Sequence, residues 1–307
     1  MATMTLQQVG RALRLDAVRS SAFSRLFSSS VFKEMATKGR SPLFARLVEQ
    51  AFTDSECAGL ASVGDAFDFA FKCLMARENR DEYVYKSAIT QRILLGRHSL
   101  RSACMLNEFR VGQCKADLVI LNGSATAYEI KSERDDLARL SPQLASYKAV
   151  FPIRYVVAGE QHIDSILRTV DVDVGILSLS SRHRISTVRA AQERVDLVDT
   201  GILFDSIRVD EAINILKCRN IEIPDVPNTR IRRELREVFC AVAAQDIYPT
   251  FVSVLKRSRS LASLEDLVGG LPVSLRAAAL TIRSKPSDHK NLLAAINSNL
   301  KDALGWS

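Results

Sequence analysis

The stretch K-A-D-L-V-I-L-N-G-S-A-T-A-Y-E-I-K, Lys115 to Lys131, runs directly into S-E-R-D-D-L-A-R-L-S-P-Q-L-A-S-Y, which ends at Tyr147. Ala116 to Leu121 is rich in Leu, Val and Ile, Ala125 to Lys131 alternates, and Asn122-Gly123 between them is a strong turn dipeptide, so the segment reads as an antiparallel hairpin followed by a helix. Side chains two apart on a strand share a face, which puts Glu129 and Lys131 together and turns Tyr128 and Ile130 away. Asp117 joins them in one register only. If Leu121 pairs with Ala125 across a three-residue loop, Asp117 lies opposite Glu129. A two-residue Asn-Gly loop sets it opposite Tyr128, because a slip of one residue turns every side chain over.

Those three groups suit metal-assisted hydrolysis. Carboxylates converging from neighbouring strands offer a hard divalent cation the oxygen ligands it prefers, and Mg²⁺ takes one or two of them with water and phosphate. Lys131 would then orient or help deprotonate the attacking water and offset charge on the phosphate. By itself E-x-K is an exposed pair on an amphipathic strand. Its setting in the chain makes the difference.

At 307 residues, 47% hydrophobic and 25% charged, the chain is long and apolar enough for a globular fold of about two domains. Its net charge of +7 favours a polyanionic partner. The six cysteines, Cys57, Cys73, Cys104, Cys114, Cys218 and Cys240, form no C-x-x-C and read as reduced thiols of a cytoplasmic protein, and the four scattered histidines suggest no zinc site. No apolar run of membrane-spanning length occurs, and no signal-like apolar core follows the N-terminal charges. The Arg- and Ser-rich first 40 residues read as a helical lead-in.

Ser41-Pro42 opens a helix with Leu43, Phe44, Leu47, Val48 and Ala51 as its apolar stripe, and Val63 to Ala76 forms another. These helices make an N-terminal helical region, 1–76. From 77 to 195 the pattern predicts a helix over Glu82 to Leu95, a strand near Met105 to Val111, the hairpin, a helix from about Arg134 to Val150, a strand at Tyr155 to Ala158, a short helix near Ile163 to Thr169, a strand at Val174 to Leu179, and a hairpin around Ser181-Arg182-His183. Residues 196–307 turn helical again, with Arg230, Arg232, Arg233 and Arg236 crowding one helix start, either as a phosphate-binding edge or as a solvated basic face. The fold class is α/β in the α+β sense: an αβββαβ core with a mixed sheet, flanked by helical regions.

That order of elements, with Asp117 on the second strand and Glu129-x-Lys131 on the third, resembles the PD-(D/E)xK nuclease superfamily and its restriction-endonuclease-like core. The residue before the aspartate, proline in the usual motif, is Ala116 here. Gln143-Leu-Ala-Ser-Tyr147 resembles the Q-x-x-x-Y signature of the RecB-like branch, and four-residue spacing sets both side chains on one helical face. The wider stretch, over roughly Arg77 to Arg259, also resembles a bacterial and phage family placed in that superfamily, to which no substrate is assigned. The resemblance implies a Mg²⁺- or Mn²⁺-dependent DNA nuclease. Its metal would be held by Asp117, Glu129, the Ile130 carbonyl and, as an additional acid, Glu82; Gln143 and Tyr147 would position the site. The alternative is a catalytically inactive nucleic-acid-binding or regulatory protein of the same fold. The cysteines lack the arrangement of an iron-sulfur branch, so no cluster is expected. DNA is the expected partner, no membrane is involved, and the helical ends would serve a protein partner or a second copy.

Overall fold

The computed structural model describes residues 15–282 and 284–307; the first 14 residues of the lead-in and Arg283 lie outside them. Contacts divide the chain into two compact units. Among the described residues, one unit comprises 15–91, 181–184 and 263–307, and the other 92–180 and 185–262.

The first unit is helical. Ser41 caps the helix Pro42–Ala51 by accepting from the Phe44 N–H at 3.0 Å, as the Ser-Pro start predicts. Val63–Leu74 opens with a capping box from Ser62 and Asp65 and buries Phe67 and Phe71. The run read as one helix from Glu82 is an α-helix over Glu82–Ile89, a π turn over Thr90–Leu94 and a last turn at Leu95–Arg97.

The second unit is built on a six-stranded mixed sheet in the order β1 (Cys104–Val111), β2 (Cys114–Leu121), β3 (Ala125–Lys131), β4 (Ile153–Gly159), β5 (Gly175–Leu179), β6 (Ile185–Arg189). The first three strands pair antiparallel, β3–β4 and β4–β5 are parallel, and β5–β6 is a hairpin. Each parallel pair needs a crossover, supplied by helices α1 (Leu140–Tyr147) and α2 (Ile163–Thr169). Beyond β6 follow α3 (Thr200–Asp205), α4 (Val209–Cys218), α5 (Asn228–Cys240) and α6 (Ala244–Ser258). The fold is thus α+β, with the element order helix, three strands, helix, strand.

Two local expectations are corrected. The helix after the hairpin begins at Leu140, six residues beyond Arg134, because polar side chains offer the backbone competing turns. Asp135 Oδ2 accepts from the Ser132 N–H at 2.7 Å and from its hydroxyl at 2.6 Å, and Asp136 Oδ1 accepts from the Ala138 N–H at 2.8 Å. The helix also stops at Tyr147, before Val150. Glu108 on β1 lies 3.7 Å from Lys115 on β2.

The layer α4–α6 is tied to β1 by a buried charge network. Glu211 on α4, fully buried, accepts two bonds of 2.7 Å from Arg259, which follows α6. The guanidinium of Arg259 sits 5.3 Å over the Phe109 ring, and its carbonyl accepts from the Cys104 thiol. Burial alone would raise the Glu211 carboxyl, but Arg259, the Arg208 N–H and Ser258 outweigh it and hold its pKa down to about 2.

Candidate active site

Leu121 pairs with Ala125, so the loop Asn122-Gly123-Ser124 has three residues, with Gly123 at φ 147°. Counting back along that register sets Asp117 opposite Glu129. The aspartate meets β3 directly: its Oδ2 accepts from the Ile130 N–H at 2.7 Å. The Ile130 side chain is buried, on the face away from Glu129 and Lys131.

Every residue of β3 is buried, because the strand is central and flanked by β2 and β4. Glu129 is 1% exposed and Lys131 8%, which removes the reading of E-x-K as a solvated surface pair. A buried carboxylate must be compensated, and this one is. Lys131 Nζ lies 2.8 Å from Glu129 Oε1, and the Tyr147 hydroxyl lies 2.8 Å from Glu129 Oε2. Gln143 Oε1 accepts from Lys131 Nζ at 3.0 Å. The i, i+4 pair on α1 therefore meets the i, i+2 pair on β3, and four of the expected groups form one hydrogen-bonded cluster with Asp117 beside it.

Burial pushes the Glu129 carboxyl up, and Lys131, Tyr147 and Gln143 pull it back only in part. Burial also pushes the Tyr147 hydroxyl up, and the neighbouring Glu129 adds to the effect, so Tyr147 remains a donor. The phenol lies 2.5 Å from the Lys115 carbonyl as well, which fixes α1 to the start of β2.

One acid escaped the sequence reading. Val111 pairs with Cys114 across the two-residue turn Gly112-Gln113, with Gly112 at φ 57°, and the same count sets Glu108 opposite Asp117. Carboxylate oxygens of Glu108 and Asp117 lie within 4.8 Å of one another. Glu108 has φ 51°, a left-handed backbone inside a strand, and the ladder pairs its neighbours Asn107 and Phe109 but not Glu108 itself. The signal was available in V-G-Q-C, whose glycine marks the tight turn that sets this register.

Glu82 is carried by the helical unit, in the first turn of Glu82–Ile89, with Oε1 2.6 Å from Lys86 Nζ. Three of the four arginines of α5 are engaged with acids: Arg236 and Arg232 with Asp205, at 3.2 and 3.8 Å, and Arg233 with Glu234 at 2.7 Å. Arg232 also lies 5.1 Å over the Phe204 ring.

Asp117 and Glu108 offer an all-oxygen, anionic donor pair, the chemistry a hard divalent cation selects. Glu129 meets that description with a condition, since both its oxygens already hold protein partners. Among the described residues no helix is long and apolar enough to cross a membrane.

Comparison with known proteins supplies a family. The profile of the family described as bacteriophage P4 protein cII matches residues 75–266, more than half of the chain and all of the sheet unit. Protein cII of Enterobacteria phage P4 is 37% identical over 92 residues, which cover 29% of this chain and 34% of that protein. The match thus spans about a third of that relative's length. No solved structure matches.

Proposed function

The chain belongs to the bacteriophage P4 protein cII family, and we propose that its sheet carries a metal-dependent phosphodiesterase centre of the PD-(D/E)xK type acting on DNA. The observation that carries this reading is the convergence of Asp117, Glu129, Lys131, Gln143 and Tyr147, from two strands and a helix, on one cluster. A Mg²⁺ or Mn²⁺ ion, held by Asp117 and Glu129 with Glu108 beside them, would supply Lewis acidity at the phosphate. The remaining work falls to the chain's own groups. Lys131 orients the attacking water and offsets charge developing on the phosphate oxygens. Gln143 fixes the ammonium, and Tyr147 holds the Glu129 carboxylate by its second oxygen. Phosphodiester cleavage asks little more of a protein than positioning and charge neutralisation. The net charge of +7 suits a polyanionic substrate.

A second reading is favoured by one observation. Both oxygens of Glu129 are already satisfied within the protein, as expected of a nuclease fold that binds nucleic acid without cutting it. Incubation of linear and circular DNA with the full chain and Mg²⁺ or Mn²⁺, beside Glu129→Gln and Lys131→Gln variants, separates the two. The enzyme reading expects cleavage that requires the metal and falls by about 10²- to 10⁴-fold in the variants. Salt-sensitive DNA binding with no cleavage at any metal concentration would leave the binding reading standing and remove the enzyme.

A further inference from the structure

The closed state of Glu129 has a consequence for how a cation would enter. Its carboxylate is 1% exposed, and one oxygen faces an ammonium at 2.8 Å. A buried carboxylate without a positive partner is strongly disfavoured, and Lys131 supplies that partner. An ammonium and a divalent ion cannot share the same oxygen at contact distance without strong repulsion in so dry a setting.

Resting on the metal-centre reading above, we infer that Lys131 is a placeholder cation: its ammonium occupies the place on Glu129 that the metal takes, so metal binding and release of Lys131 toward the attacking water are one coupled event. Gln143 gives the displaced ammonium a partner, since its Oε1 already lies 3.0 Å from Nζ. The flexible four-carbon stem of lysine allows that swing while β3 stays in place; a planar guanidinium would not follow. The centre would thus hold its lysine away from the water position until the metal arrives, a built-in order of assembly.

The test is Mn²⁺ binding to the full chain by titration calorimetry, with wild type, Lys131→Met and Asp117→Asn. Removing the competing ammonium should tighten Mn²⁺ binding by about tenfold or more in Lys131→Met, and Asp117→Asn should weaken it. Should Lys131→Met fail to fold, as a lone buried carboxylate can cause, acetylation of Lys131 in the wild-type protein decides. Its labelling, followed by peptide mass, should rise severalfold when Mn²⁺ is added. Equal or weaker Mn²⁺ binding in a folded Lys131→Met, or labelling unmoved by Mn²⁺ that the wild type demonstrably binds, overturns the placeholder role and leaves the metal centre intact. No Mn²⁺ binding by either wild type or Lys131→Met removes the metal centre itself, and this inference with it.

Discussion

Acidification should loosen the helical layer from β1 through one carboxylate. Glu211 titrates at about 2 in the folded chain against an ordinary 4.5. Each pH unit of displacement is worth about 1.4 kcal/mol, so the group contributes about 3 kcal/mol of stability at neutral pH. Because the folded value is depressed, that contribution is fully present above pH 4.5 and is lost as pH falls from there toward 2. The size agrees with the about 3–5 kcal/mol expected when one partner of a buried pair is removed, here leaving the Arg259 guanidinium uncompensated against Phe109. Urea unfolding of wild type and Glu211→Gln, followed by circular dichroism at pH 7, 5, 3.5 and 2.5, measures it. The variant should be less stable by about 3 kcal/mol at pH 7, and the gap should close steadily below pH 4.5. A gap that stays constant from pH 7 to pH 2.5, or no gap at pH 7, would refute the assignment of this stability to the Glu211 charge.

Tyr147→Phe removes the single phenol proton that Glu129 Oε2 and the Lys115 carbonyl share and should cost about 1–3 kcal/mol in urea unfolding, since the Glu129 carboxylate stays buried; unchanged stability would mean that this proton does not count. Deleting Ser124 leaves a two-residue Asn-Gly loop that still closes Leu121 on Ala125, so Asp117 stays opposite Glu129 and Mn²⁺ binding should survive in calorimetric titration; its loss would refute the register as what places Asp117. In Gly175→Ala the new Cβ would meet the Tyr155 ring at 2.2 Å and the Ala191 nitrogen at 2.8 Å, and thermal unfolding should show a loss of about 1–3 kcal/mol from overpacking. Glu108→Gln should weaken Mn²⁺ binding with little change in melting temperature, because its side chain is half exposed; full wild-type affinity would remove Glu108 from the metal's surroundings.

What the sequence by itself determined is what short-range periodicity governs. Glu129 and Lys131 must share a face because strand side chains repeat every two residues, and Gln143 and Tyr147 because helical ones meet every four. The Leu, Val and Ile of β2 and the order of helices and strands were legible for the same reason, and they implied a mixed sheet. Everything that depends on one segment meeting another was left open. Asn122-Gly123 is compatible with a loop of two or three residues, and only the Leu121–Ala125 pairing places Asp117 with Glu129. The burial of Glu129 involves α1, which brings Gln143 and Tyr147 onto Lys131 and Glu129, and β4, which pairs along the far edge of β3, contacts no local pattern encodes. Glu108 joins through the tight turn at Gly112, and the late start of α1 follows from Asp135 and Asp136 bonding their neighbours' backbone. Faces are a property of a single element, whereas register and burial belong to pairs of elements, and the residues that hold a site together come from such pairs.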